Sequence, residues 1–237
     1  MDTRIQDFNS ERRVKNGKKS LIHNLSIPLN EATTAKFQIH AGDGNLTIDG
    51  IPGSVSVLVN GTLEYLETQG IPAQTLEINS GSSTFTLQGG QSKQPRFRMP
   101  WSACNGATNW IVHINPQISS DITARSHGGN IKLDMSGTSL KSLSADTGGG
   151  NITLVLPDGS PHLIVNARTG AGNVEVSVPS GSASRIHATV GLGKLIIDPR
   201  FNAIDKTTFQ SPEYDNSSRK VEITASSGAG NVTVHSR

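Results

Sequence analysis

The chain has 237 residues, 25 of them glycine, with 4% aromatic and 17% charged residues and a formal net charge of +2. That composition excludes a disordered chain, and the near balance of 21 basic and 19 acidic side chains excludes a global field that draws in nucleic acid. A lone cysteine, Cys104, excludes an internal disulfide or a cysteine-based metal cluster, and no stretch nears the ~18 consecutive apolar residues of a membrane span.

Residues 1–35 read as a polar, basic N-terminal segment, partly mobile, with Arg12, Arg13, Lys15, Lys18 and Lys19 close together. They hold no apolar stretch of the kind a secretory signal needs, so the chain as written is expected in the cytoplasm. A trimmed N terminus would move the expectation to the cell envelope. Residues 36–237 read as a single repetitive all-β domain. It opens with Gly-Asp-Gly-Asn at 42–45, between Ile39 and Leu46, and a degenerate copy is expected from Ile78 to Phe85 through Ser80-Gly81-Ser82-Ser83. Residues 88–109 break the pattern with Pro95, Pro100, Lys93, Arg96, Arg98 and Trp101. The central block follows: His-Gly-Gly-Asn at 127–130, Gly-Gly-Gly-Asn at 148–151, Gly-Ala-Gly-Asn at 170–173 and Gly-Leu-Gly-Lys at 191–194. After a second interruption at 198–220 comes a last Gly-Ala-Gly-Asn at 228–231.

The glycines Gly129, Gly150, Gly172 and Gly193 are 21, 22 and 21 residues apart, which makes each ~21-residue stretch one supersecondary unit. Apolar residues alternate on both sides: Leu163, Val165 and Ala167 before the corner, Val174, Val176 and Val178 after it. A period of two with β-branched residues marks half-buried strands. From the alanine to the next inward residue is seven positions in every copy, as from Ala124 to Ile131 and Ala167 to Val174. An odd interval would flip a straight strand, so the chain must bend while both flanks face one core. The corner glycines Gly44, Gly129, Gly150, Gly172, Gly193 and Gly230 are therefore expected to supply positive φ, with the alanine small because the corner is crowded. Pro157-Asp158-Gly159-Ser160 and Pro179-Ser180-Gly181-Ser182 mark second turns. The regular coil length favours a solenoid-like stack of short strands with Gly-x-Gly-Asn corners. A hairpin-based antiparallel sandwich fits the same alternation.

Several features together resemble the bacterial adhesin-like, or toast-rack, domain family: Gly-Asn-Leu-Thr-Ile-Asp-Gly at 44–50, the strand Trp110–Ile114, the Gly-x-Gly-Asn units and the closing Val221–Val234 segment. The chain is also similar to the C-terminal domain of membrane proteins in cell-wall-antibiotic responses. The resemblance spans roughly residues 36–236 and implies a stacked β architecture with no established activity, cofactor or catalytic residue.

No catalytic constellation stands out. The seven histidines lack metal-ligand spacing, although His127 could approach a neighbouring coil. Gly42-Asp43-Gly44-Asn45 with Asp49 falls short of a calcium-binding nonapeptide. Outward residues are mostly Ser, Thr, Asn and isolated charges, without the paired carboxylates of a polysaccharide hydrolase. The reading is a non-enzymatic structural or interaction module with no cofactor or metal. Its partner is a protein, an envelope component or a glycan, never nucleic acid. A β-helix-type polysaccharide enzyme and a regulatory domain of an envelope stress response are the alternatives. Arg96, Arg98 and Trp101 are the candidate contact residues, being of types enriched at binding hot spots. The aromatics of 88–109 and 198–220 equally suit caps on the ends of the core.

Overall fold

The computed structural model describes residues 11–15, 18–53, 56–67, 71–79, 81–89 and 108–237. In chain order the strands are β1 (Glu11–Lys15), β2 (Lys18–Pro28), β3 (Thr34–His40), β4 (Asn45–Gly50), β5 (Val57–Leu66), β6 (Ala73–Asn79) and β7 (Ser82–Gln88). Next come β8 (Asn109–Ile114), β9 (Ser119–Ser126), β10 (Ile131–Asp134), β11 (Leu140–Gly149), β12 (Ile152–Val155), β13 (His162–Ala171) and β14 (Val174–Val178). The chain ends through β15 (Ala183–Leu192), β16 (Leu195–Ile197), β17 (Asn202–Ala203), β18 (Thr208–Gln210), β19 (Lys220–Ala229) and β20 (Val232–Ser236). There is no α-helix among the described residues.

Two ten-stranded mixed sheets face each other. Sheet I runs β1-β2-β5-β8-β4-β10-β12-β14-β20-β16, and sheet II runs β17-β18-β15-β19-β13-β11-β9-β3-β7-β6. The strands flanking each Gly-x-Gly-Asn segment pair in parallel with their counterparts. Ile131 lies beside Ile152, Ile152 beside Val174, and Val174 beside Val232. Equivalent residues therefore sit in register, each facing the same core, and an antiparallel hairpin arrangement is excluded for these strands. Along most strands burial alternates strictly, as in β13, where Leu163, Val165 and Ala167 face inward. Each fully buried aliphatic side chain contributes about 1.5–3 kcal/mol of transfer free energy, and the core runs unbroken from Leu25 to Val234.

The stacking order departs from the chain order at both ends. β3 and β4 lie between the strands of β7–β8 and those of β9–β10. At the other end β19 and β20 slide between β13–β14 and β15–β16. The first and last parallel coils of the chain are thus one place in from the ends of the stack.

The corners show why glycine recurs. A Cβ on Gly150 would lie 2.4 Å from the Gly129 carbonyl oxygen, on Gly172 2.1 Å from that of Gly150, on Gly230 2.0 Å from that of Gly172, and on Gly193 1.9 Å from that of Gly230. Backbone stacks directly on backbone. Positive φ is part of this at Gly172, Gly193 and Gly230 (148°, 149° and 142°), whereas Gly44, Gly129 and Gly150 lie outside that region and are glycine for the close approach. The fourth corner residue has its own task. Each asparagine side-chain carbonyl accepts the backbone N–H of the next coil: Asn45 from Asn130, Asn130 from Asn151, Asn151 from Asn173, Asn173 from Asn231 and Asn231 from Lys194, at 2.8–3.0 Å. Lys194 occupies the outermost parallel coil, where nothing further along needs capping.

A second ladder runs just inside the corner. In β9, β11, β13 and β19 the last inward residue is not the alanine but the Ser or Thr two positions later. Thr147 donates to the Gly129 carbonyl, Thr169 to that of Gly150 and Ser227 to that of Gly172, at 2.7–2.9 Å. Buried carbonyls at the bend would otherwise go unpaired.

Two further expectations change. The Ile78-to-Phe85 segment is no corner of the stack: β6 and β7 form an antiparallel hairpin through Gly81, at φ 82°, and Ile78 is half exposed. Residues before 36 also join the fold. β2 pairs antiparallel with β5, and Leu25 and Ile27 enter the core. Its alternation of His23, Leu25 and Ile27 is overshadowed in the sequence by the adjacent basic cluster.

Candidate binding groove

The first glycine of each corner forms a second row of close contacts. A Cβ on Gly170 would meet the Gly148 carbonyl oxygen at 2.5 Å, on Gly228 that of Gly170, and on Gly191 that of Gly228, all at 2.5 Å. One coil breaks this row, because position 127 holds histidine. The neighbouring turn makes room for it. Gly42 takes φ 65°, Gly44 N–H closes a tight turn onto the Ala41 carbonyl, and His127 N–H donates to the Gly42 carbonyl at 2.6 Å. The chain thereby diverges from the regular stacking, and a groove of about 410 Å³ opens. His40, Gly42, Arg125, His127, Asp146 and Gly148 line it.

Strand register brings these side chains together. His40 of β3, Arg125 of β9, Asp146 of β11 and Arg168 of β13 sit side by side on the outer face of sheet II. Burial, and then the nearby positive charges of Arg125 and His127, push the His40 pKa below its usual value. Arg125 and Asp146 form no ion pair with each other among the described residues, so the guanidinium fork stays available. Below it, Ser126 turns inward, donates to the Gly42 and Gly44 carbonyls and accepts the Gly129 N–H at 2.9 Å. That fixes the backbone carrying Arg125 and His127. Among the described residues no three His, Cys, Asp or Glu side chains converge to hold a metal ion. Asp49 is engaged by His113.

The corner glycines named from the sequence all fall into one file. Arg96, Arg98 and Trp101 lie outside the described residues, as does Cys104. The 198–220 interruption is a cap. Phe201 is buried in the core and Phe209 packs against it. Arg200 holds the cap down with hydrogen bonds to the Pro179 and Ser182 carbonyls. The Asp198 carboxyl sits below its ordinary pKa because it accepts the Arg200 and Ser236 backbone N–H groups. Tyr214 is buried between the cations of Arg185 and Lys220, at 4.4 and 4.7 Å from its ring. Burial and its hydrogen bond to Glu222 raise its pKa. In the sequence His127 stands out only as a histidine near a neighbouring coil. The sharper signal was that it replaces the first glycine of a corner, in the single copy where that glycine is missing.

Comparison with known proteins adds the family. A family model described as the N-terminal domain of toast_rack, DUF2154, matches residues 15–177. A crystal structure of "a putative cell adhesion protein" from Clostridium sporogenes superposes with a TM-score of 0.81 at 21% identity, covering 91% of this chain and 99% of that one. At that identity the likeness is one of fold. "A putative adhesin" from Bacteroides fragilis aligns at 11% identity over 92% of this chain and 98% of that one, with a TM-score of 0.37. No curated protein matches the sequence. No helix among the described residues is long and apolar enough to cross a membrane.

Proposed function

The chain belongs to the family of the N-terminal domain of toast_rack, DUF2154, and from that premise we propose that it is a non-enzymatic, adhesin-like interaction module. The observation that carries the reading is the outer face of sheet II. Gln38, Thr86, Thr123, Ser144, Asn166 and Thr224 form one row across the parallel strands. His40, Gln88, Arg125, Asp146, Arg168 and Ser226 form the next. Donors and acceptors therefore repeat about every 4.8 Å along the stack. A rigid periodic array of hydroxyls, amides and scattered charges suits a hydroxyl-rich polymer or a polar protein surface, and a preformed face loses little entropy on binding. The ~21-residue unit with its Gly-x-Gly-Asn corner is, in this reading, the device that sets that spacing. The partner is an envelope component, a glycan or a protein. Arg96, Arg98 and Trp101, in the connection between β7 and β8, remain proposed as an additional anchor.

The test is retention on purified bacterial cell walls. A Thr123→Lys/Asn166→Lys pair on sheet II is expected to lower retention at least roughly tenfold, a change of about 1.4 kcal/mol. A Thr153→Lys/Thr233→Lys pair on the outer face of sheet I should leave it unchanged. Equal effects from both pairs, or none from the first, would overturn the assignment to this face.

A further inference from the structure

We propose that the groove around His127 binds an acidic sugar unit, a carboxylate flanked by hydroxyl groups, with Arg125 taking the carboxylate. This deepens the reading of the domain as an interaction module and rests on it. Three observations converge. Every other corner has glycine at the position of His127, and in four of those coils the contacts leave no room for a side chain. The histidine is therefore accommodated only because the Gly42 turn diverges, and the divergence is what opens the groove. Next, the guanidinium of Arg125 has no side-chain partner among the described residues. Its planar fork matches a carboxylate with two parallel hydrogen bonds. Finally, the lining offers both donors and an acceptor: the imidazoles of His40 and His127, and the carboxylate of Asp146.

Charge selects among anions. Asp146 sits in register between Arg125 and Arg168, so the row already holds one negative charge between two positive ones. A singly charged carboxylate beside Arg125 completes an alternating series, while a doubly charged phosphate would face Asp146. Asp146 in turn is an acceptor for a ligand hydroxyl, which a bare anion cannot offer. A volume of about 410 Å³ lies within the ~300–1,000 Å³ of small-molecule sites and is enough for a single sugar ring. The charged or titratable groups around the two histidines are Arg125 on β9, Asp146 on β11, Arg168 on β13 and Asp43 in the turn after β3. Burial, Arg125 and His127 hold the His40 pKa below its ordinary value, and a bound carboxylate favours its protonated form, so binding takes up a proton there and tightens as pH falls.

The experiment is an amide NMR titration of the full chain with glucuronate, glucose and inorganic phosphate at pH 5.5 and 7.5. Glucuronate is expected to shift the amides of Gly42, Arg125, His127 and Gly148, and to bind more tightly at the lower pH. Arg125→Gln should weaken it roughly tenfold, the loss of one charge-assisted pair. His127→Gly, which restores the repeat and so keeps the fold, should remove most of the affinity. Glucose shifting the same amides as strongly would overturn the carboxylate assignment, as would phosphate binding more tightly than glucuronate. An absence of shifts at tens of millimolar glucuronate would overturn the site itself. Such a failure is separable from that of the wider reading, because the Thr123→Lys/Asn166→Lys pair lies outside the groove lining and reports on cell-wall retention alone.

Discussion

The corner at 148–151 and the corner at 127–130 are built from nearly the same four residues, yet one is closed and the other carries a groove. At the first, Gly148 and Gly150 each have a neighbouring carbonyl oxygen within 2.5 Å of where a Cβ would stand. At the second, only the inner glycine, Gly129, is so confined, by Gly44, and the outer position bears an imidazole. Regular stacking thus leaves no room for a side chain at the first and third corner positions, and a side chain at either one requires a local break in the stack. The break lies in the partner coil, where Gly42 takes a left-handed conformation.

The largest test of this contrast is Gly172→Val. Its Cβ would fall 2.1 Å from the Gly150 carbonyl, at a φ of 148°. No flexible side chain is there to yield, so the loss should exceed the ~1–3 kcal/mol of ordinary overpacking. Thermal denaturation reads it, and a Gly172→Val protein melting with the wild type would break the stacked-backbone account. A smaller effect is expected from Thr147→Val, which keeps the shape but deletes the hydroxyl bonded to the Gly129 carbonyl. A buried carbonyl left unpaired costs about 1–3 kcal/mol, measurable as a lower urea midpoint. The smallest is His127→Gly, for which stability should stay within about 0.5 kcal/mol. A large loss there would mean that the imidazole supports the turn rather than serving a ligand.

Much of this was legible in the sequence, because two periodicities carry it. The alternation of Leu163, Val165 and Ala167, then Val174, Val176 and Val178, fixes which side chains face inward, and the Gly-x-Gly-Asn spacing marks the bends. The neighbour relations were not legible. Coils of equal length and similar pattern pair equally well with any other, so nothing in Gly230 announces that it lies between Gly172 and Gly193. The hydroxyl ladder was hidden because Ser126, Thr147, Thr169 and Ser227 look like surface residues, and only their buried bonds to glycine carbonyls show otherwise. Lys194 could have been read. An asparagine that caps the next coil is dispensable only where there is no next coil, so the one corner ending in lysine marks the outermost coil. For the groove, His127 was visible as a deviation, but its meaning needed the Gly42 turn, which depends on β3 lying beside β9.

The placement of β19 and β20 between older neighbours bears on how the protein is made. A chain leaving the ribosome produces β15 and β16 well before the two strands that separate them from β13 and β14. While 220–236 are still being synthesised, the parallel edges of β15 and β16 have no partner. A stalled or clipped chain ending near residue 219 would lose not one coil of the stack but two, since removing the inserted coil also detaches the one outside it. Completion of this part of the core is therefore tied to β19 and β20, which are translated after both of the coils they separate. An unfinished chain would show exposed strand edges, of the kind that chaperones and proteases act on.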